Sequence, residues 1–156
     1  MTGYATNTSV PVERSRAEVE RVLAKYGVTH FGTMTRPDGG VVYFEYKGRQ
    51  IQLSVPMPPR TDPQFTNRPR SSWGKVADST RDQRWDAEYR RRWRVLVITV
   101  KAMLEAVDSK LLTFDQAFLA HIVIPGSAKT LGDVIVPKLD AMYQGLGLPA
   151  LLSENP

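Results

Sequence analysis

The stretch Val28-Thr29-His30-Phe31-Gly32-Thr33-Met34-Thr35-Arg36-Pro37-Asp38-Gly39-Gly40-Val41-Val42-Tyr43-Phe44-Glu45-Tyr46-Lys47-Gly48-Arg49-Gln50-Ile51-Gln52-Leu53-Ser54-Val55 decides the fold. Thr29, Phe31, Thr33 and Thr35 alternate with Val28, His30, Gly32 and Met34, a strand pattern. Pro37-Asp38-Gly39-Gly40 supplies the proline and the positive-φ residues of a hairpin turn. Residues 41–47 are rich in β-branched and aromatic side chains, which favour a second strand. After the turn Lys47-Gly48-Arg49 the alternation is strict. Ile51, Leu53 and Val55 face a core, and Gln50, Gln52 and Ser54 face out. Turns this short force neighbouring strands to be antiparallel, so the stretch predicts a three-stranded meander with one polar face. Pro56, Pro58 and Pro59 end it.

Helices are predicted on both sides. Upstream, Ser15-Arg16-Ala17-Glu18 has capping-box spacing, and Val19, Val22, Leu23 and Tyr26 recur on one stripe. Gly27 stands where a left-handed residue closes a helix, and the helix start is placed between Pro11 and Ser15. Downstream, residues 81–107 contain no Gly or Pro. Trp85, Tyr89, Trp93, Leu96, Val100, Met103, Leu104 and Val107 keep helical spacing, predicting a helix of about 27 residues and about 40 Å. Thr113-Phe114-Asp115-Gln116 and Thr130-Leu131-Gly132-Asp133 open two shorter helices, the first carrying Phe118, His121 and Ile122 and stopped at Pro125-Gly126. Pro137 is expected to kink or split the last. The fold class is therefore α+β: N-terminal helix, antiparallel meander, long central helix, C-terminal helices. Its 156 residues form one domain with a flexible tail at 1–11, a long basic loop at 57–80 and a C-terminal arm at 146–156.

Composition excludes several classes of function. There is no cysteine, hence no disulfide framework, thiolate nucleophile or cysteine metal site. No apolar run approaches the ~18 residues of a membrane span, and the opening residues lack a signal-peptide pattern, so a cytoplasmic protein without membrane association is expected. His30 and His121 are isolated, and no nucleophile–base set or phosphate-binding glycine loop is present. Pro37-Asp38 with Glu45-Tyr46-Lys47 matches the PD…ExK string of metal-dependent nucleases. Asp38 and Glu45 are seven residues apart along a strand, however, or ~23 Å, too far to share a metal ion. No cofactor is expected.

Charge is the informative quantity. The net charge is +5, and residues 60–94 hold ten basic and five acidic side chains, while the rest of the chain holds eleven of each. The whole excess thus lies in one segment, which points to a polyanionic partner. Arg68, Arg70, Lys75, Arg81, Arg84, Arg91 and Arg94, with Lys47 and Arg49 from the hairpin turn, are the candidate phosphate ligands, and Trp73 the candidate base-stacking residue. Tyr43 and Tyr46 point to opposite faces of their strand, so one of them at most is a stacking platform. Trp85, Tyr89 and Trp93 belong by spacing to the core.

The segment Arg91-Arg92-Trp93-Arg94-Val95-Leu96-Val97-Ile98-Thr99-Val100-Lys101-Ala102-Met103-Leu104-Glu105-Ala106-Val107 resembles a family of small phage and prophage proteins. The same holds for Thr113-Phe114-Asp115-Gln116-Ala117-Phe118-Leu119-Ala120-His121-Ile122-Val123-Ile124-Pro125, for Thr8-Ser9-Val10-Pro11-Val12-Glu13-Arg14-Ser15-Arg16 and for Leu148-Pro149-Ala150-Leu151-Leu152. That family brings no agreed activity or catalytic residues; the resemblance implies action in a bacterial host cytoplasm. The element order is also similar to the β-β-β-α core of Rad52-like single-strand annealing proteins, which are oligomeric and hold single-stranded DNA in a basic groove. Together these imply a non-enzymatic phage protein that binds or anneals single-stranded DNA in recombination, as a homo-oligomer. The alternative is a module that docks on a host defence or replication protein.

Overall fold

The computed structural model describes residues 8–68 and 74–145. Helix α1 (Val12–Lys25) leads into strands β1 (His30–Arg36), β2 (Gly39–Tyr46) and β3 (Arg49–Pro56). A single helical turn α2 (Pro63–Thr66), the long α3 (Asp78–Asp108), the short α4 (Phe114–Phe118) and α5 (Leu131–Tyr143) follow. The α+β architecture read from the sequence is the one observed. The terminal segments 1–7 and 146–156, which include most of the expected tail and all of the expected arm, lie outside the described residues.

The sheet is antiparallel in the order β1-β2-β3. Phe44 pairs with Phe31 on one side and Ile51 on the other, and Val42 with Thr33 and Leu53. Paired residues share a face, so Val42, Phe44, Ile51, Leu53 and Val55 point together into the core. Against them α1 contributes Val19, Val22 and Leu23, α3 contributes Trp93, Leu96, Val97, Val100 and Leu104, and α4 contributes Phe114 and Phe118. Phe118 meets Phe44 edge-on at 5.7 Å and stacks on Phe114 at 4.7 Å. Tyr46 packs on Phe114, also at 4.7 Å, so it is the inward tyrosine, while Tyr43 lines the outer face.

Three local expectations are corrected. Helix α1 starts after Pro11, the earlier end of the expected range, and the capping box expected at Ser15 does not form. Ser15 is wholly buried with its hydroxyl unpartnered, and Glu18 reaches across to α3. Tertiary burial of Ser15 outweighs the local cap. The helix expected through Ile122 ends at Phe118, followed by a 3-10 turn (Leu119–His121). Ile122 then runs extended beside Ile51, and the Val123 amide donates to the Gln50 carbonyl at 2.8 Å. The unpaired edge of β3 thereby captures a segment whose sequence alone reads as helical. Finally, the 57–80 segment is not all loop. Asp62 caps α2, and Phe65 and Met57 are buried.

Thr113 and Thr130 open their helices as expected, each through a capping box, and α5 runs through Pro137 without the expected split. Helix α5 has no buried residue, and Val136, Leu139 and Tyr143 are exposed. No helix among the described residues is long and apolar enough to cross a membrane.

Candidate nucleic-acid interface

Helix α3, at 31 residues, is about 46 Å long, whereas an eight-residue strand spans about 26 Å. Trp93 lies beneath Gly40, the Tyr89 hydroxyl donates to the Gly39 carbonyl at 3.3 Å, and the Trp85 indole donates to the Pro58 carbonyl at 3.0 Å. The turns before Trp85 therefore project past the Gly39–Pro56 end of the sheet, where they meet α2. Residues 60–84, which lead up to and form this projecting end, hold six basic and three acidic side chains, and Arg90, Arg91, Arg92 and Arg94 follow along α3.

Most of its arginines are already engaged. Arg81 pairs with Asp78 at 2.9 Å and Asp82 at 3.1 Å. Arg60 reaches Asp82 at 3.0 Å and lies over the Trp85 ring at 4.1 Å. Arg91 and Arg92 both reach Glu88 at 2.7 Å. The hydrogen bond from Arg91, then that from Arg92, holds the Glu88 carboxyl below its usual range against the opposing effect of burial. Arg94 donates to Glu18, which also accepts from Lys101 at 2.6 Å. Those bonds, Lys101 first, lower the Glu18 pKa as well. Arg91 and Arg94 are thus neutralised and hold α3 together or tie it to α1.

A second group has no carboxylate partner among the described residues. Asn67 and Lys75 form an isolated antiparallel bridge, and the Val76 amide donates to the Thr66 carbonyl at 2.9 Å. The bridge draws the two arms of the loop together beside α3. Arg84 donates to the carbonyls of Asn67 at 2.8 Å and Phe65 at 3.3 Å, and Arg68 donates to the Lys75 carbonyl at 3.1 Å. Three cations, Arg68, Lys75 and Arg84, are gathered in this way with only neutral acceptors. Arg68 and Lys75 are exposed. Arg70 and Trp73, between the two arms, lie outside the described residues.

Lys47 and Arg49 are not brought to this group. They flank the β2–β3 turn at the opposite end of β2, about 23 Å away along the strand. Arg49 is paired with Asp115 at 3.3 Å, and the Lys47 ammonium sits 5.2 Å from the Tyr46 ring centre. Asp38 and Glu45 likewise stand near opposite ends of β2.

Sequence reasoning missed one surface feature. The outer face of the sheet holds a groove of about 470 Å³ lined by His30, Arg36, Tyr43, Glu45, Gln50 and Gln52. The Arg36 guanidinium donates to the Tyr43 hydroxyl. The outward alternation of these residues was legible; the groove itself needs the 121–128 segment, which adds Val123 and Ala128. His121, partly buried, has its pKa lowered by desolvation. No protein-family model, curated protein or solved structure matches this chain.

Proposed function

We propose that the protein is a non-enzymatic, phage-encoded single-stranded DNA-binding protein, suited to binding or annealing strands in recombination. The observation that supports this reading is the gathering of Arg68, Lys75 and Arg84 at the projecting end of α3, without carboxylate partners among the described residues. A cluster of cations bound only to neutral carbonyls keeps its full charge for an incoming phosphate. The paired arginines of α3, by contrast, would have to break an ion pair first.

Four phosphate contacts, from Arg68, Arg70, Lys75 and Arg84, give an expected log–log salt slope of about −2.8 for single strands. Binding to an oligonucleotide then weakens about 50-fold between about 50 and 200 mM salt. Fluorescence anisotropy with a labelled oligothymidine measures it. Arg68→Gln/Lys75→Gln should reduce the slope by about 1.4. Absence of binding at low salt, or binding indifferent to salt, refutes the reading.

The second reading is a module that docks on a host protein, favoured by the exposed Val136, Leu139 and Tyr143 on α5. It predicts no affinity for oligonucleotides together with capture of one host protein that α5 substitutions abolish.

A further inference from the structure

We propose that the protein pairs with a second copy of itself through the open edge of β1, joining two meanders into one six-stranded antiparallel sheet. The β2–β3 turn has Lys47 at φ 49° and Gly48 at φ 73°, a two-residue I′ hairpin, which makes Tyr46 and Arg49 a hydrogen-bonded pair. Counting back along β2, its even residues bond to β3 and its odd residues to β1. In β1 the residues opposite those odd positions, His30, Gly32, Met34 and Arg36, spend their main-chain groups on β2. The amides and carbonyls of Phe31, Thr33 and Thr35 consequently point away from the sheet. Among the described residues none of them has a main-chain partner.

An edge of this kind is normally guarded by a proline, a lysine, a bulge or a covering segment. Here β3 has its cover in Ile122 and Val123, whereas β1 has no proline, lysine or bulge. Helix α1 packs beside it and Arg16 donates to the Thr35 hydroxyl at 2.6 Å, but no described segment takes up the main-chain groups of Phe31, Thr33 and Thr35. Its register with β2 is unbroken over seven pairs, and its only formal charge is at the last residue, Arg36. Phe31 is 38% and Met34 51% exposed, so both faces of the strand are also incompletely covered.

A second copy fits this edge in a particular register. A twofold axis at Thr33 overlaps all seven residues and places outward-pointing groups opposite outward-pointing groups. It sets Phe31 against the partner's Thr35, Met34 against the partner's Gly32, and Thr33 against its own counterpart. The large apolar side chains Phe31 and Met34 therefore each meet a small one, and only the terminal pair of His30 with Arg36 brings two large groups together. The arrangement is isologous and closes at two copies, since pairing consumes the edge it uses. It also sets the partner's His30 next to Arg36, extending the polar groove of the outer face across both protomers.

The test is the mass in solution of the full chain and of Thr33→Pro. Because the Thr33 amide points to solvent, proline there spares the ladder to β2. Light scattering should give twice 17.5 kDa for the parent and a single 17.5 kDa for Thr33→Pro, with unchanged circular dichroism. A monomeric parent at about 0.5 mM, or a Thr33→Pro dimer, overturns the proposal. Should Thr33→Pro fail to fold, Thr33→Cys decides, since the chain has no other cysteine. Hydrogen-bonded antiparallel partners have Cα atoms about 5.5 Å apart, within disulfide reach, so oxidation should link Thr33→Cys into a dimer and leave the exposed Ser79→Cys unlinked. Failure of Thr33→Cys to link, or equal linking of both, overturns it.

Discussion

Gly40→Ala isolates a packing effect from a backbone effect. Gly40 lies in β2 outside the positive-φ region, so alanine can adopt its backbone without strain. A Cβ built there, however, falls 2.5 Å from Cζ2 of Trp93 and 3.1 Å from the Tyr89 hydroxyl. Ordinary contact begins near 3.4 Å, so the indole must retreat by roughly 1 Å. Trp93 has little room to do so. It is 0% exposed, Tyr89 stands edge-on at 6.3 Å, and the Arg16 guanidinium covers its ring at 4.8 Å. Overpacking of this kind costs about 1–3 kcal/mol, offset by about 0.4–1 kcal/mol from the reduced freedom of the unfolded chain. A net loss of about 1–2 kcal/mol corresponds to a fall in Tm of about 2–8 °C for a domain of this size. Gly32→Ala is the control: the same substitution in the neighbouring strand meets nothing within 4 Å and should be neutral or slightly stabilising. Thermal unfolding of the two variants, with Trp93→Phe added to Gly40→Ala, gives a cycle in which the smaller ring relieves part of the loss. If Gly40→Ala is as stable as Gly32→Ala, the tight seat of Trp93 under β2 is wrong.

Three further outcomes follow from the geometry. Ser15→Ala should leave stability unchanged or raise it by up to about 1 kcal/mol in urea unfolding, because it removes a buried hydroxyl without a partner; a helix cap at Ser15 would instead make it destabilising by about 1 kcal/mol. Glu18 and Glu88 titrate below their usual 4.5 in the folded chain, so their stabilisation is complete above that range and is lost as pH falls through the lowered folded values. Urea midpoints should therefore drop below about pH 4.3, and less steeply in Glu18→Gln, which itself loses about 1–2 kcal/mol at neutral pH. Arg49→Ala, which breaks only an exposed pair with Asp115, should change the urea midpoint by the equivalent of less than about 0.5 kcal/mol.

The division of labour among the arginines was half legible. Asp78 with Arg81, and Glu88 with Arg91 and Arg92, stand at three- and four-residue spacing on one helix, so their pairing follows from helical periodicity. Glu18 with Arg94 and Arg49 with Asp115 are far apart in sequence and become neighbours only through the packing of α1 on α3 and of α4 beside β3. Counting charges located the basic segment; it did not distinguish an arginine bound to a carboxylate from one bound to a carbonyl.

By itself the sequence determined the meander, the long helix and the helix starts at Thr113 and Thr130, because each is set by contacts within a few residues: alternation, turn chemistry, helical spacing, local caps. It also determined which strand face is apolar. Only the tertiary structure decided that Ser15 is interior and not a cap, that Ile122 leaves its helix for the edge of β3, and that Gly40 is small to admit Trp93. It alone decided that Arg68, Lys75 and Arg84 form a group from which Lys47 and Arg49 are excluded. These depend on residues tens of positions apart meeting in space, and competition for burial and for open main-chain groups settles them against local preference.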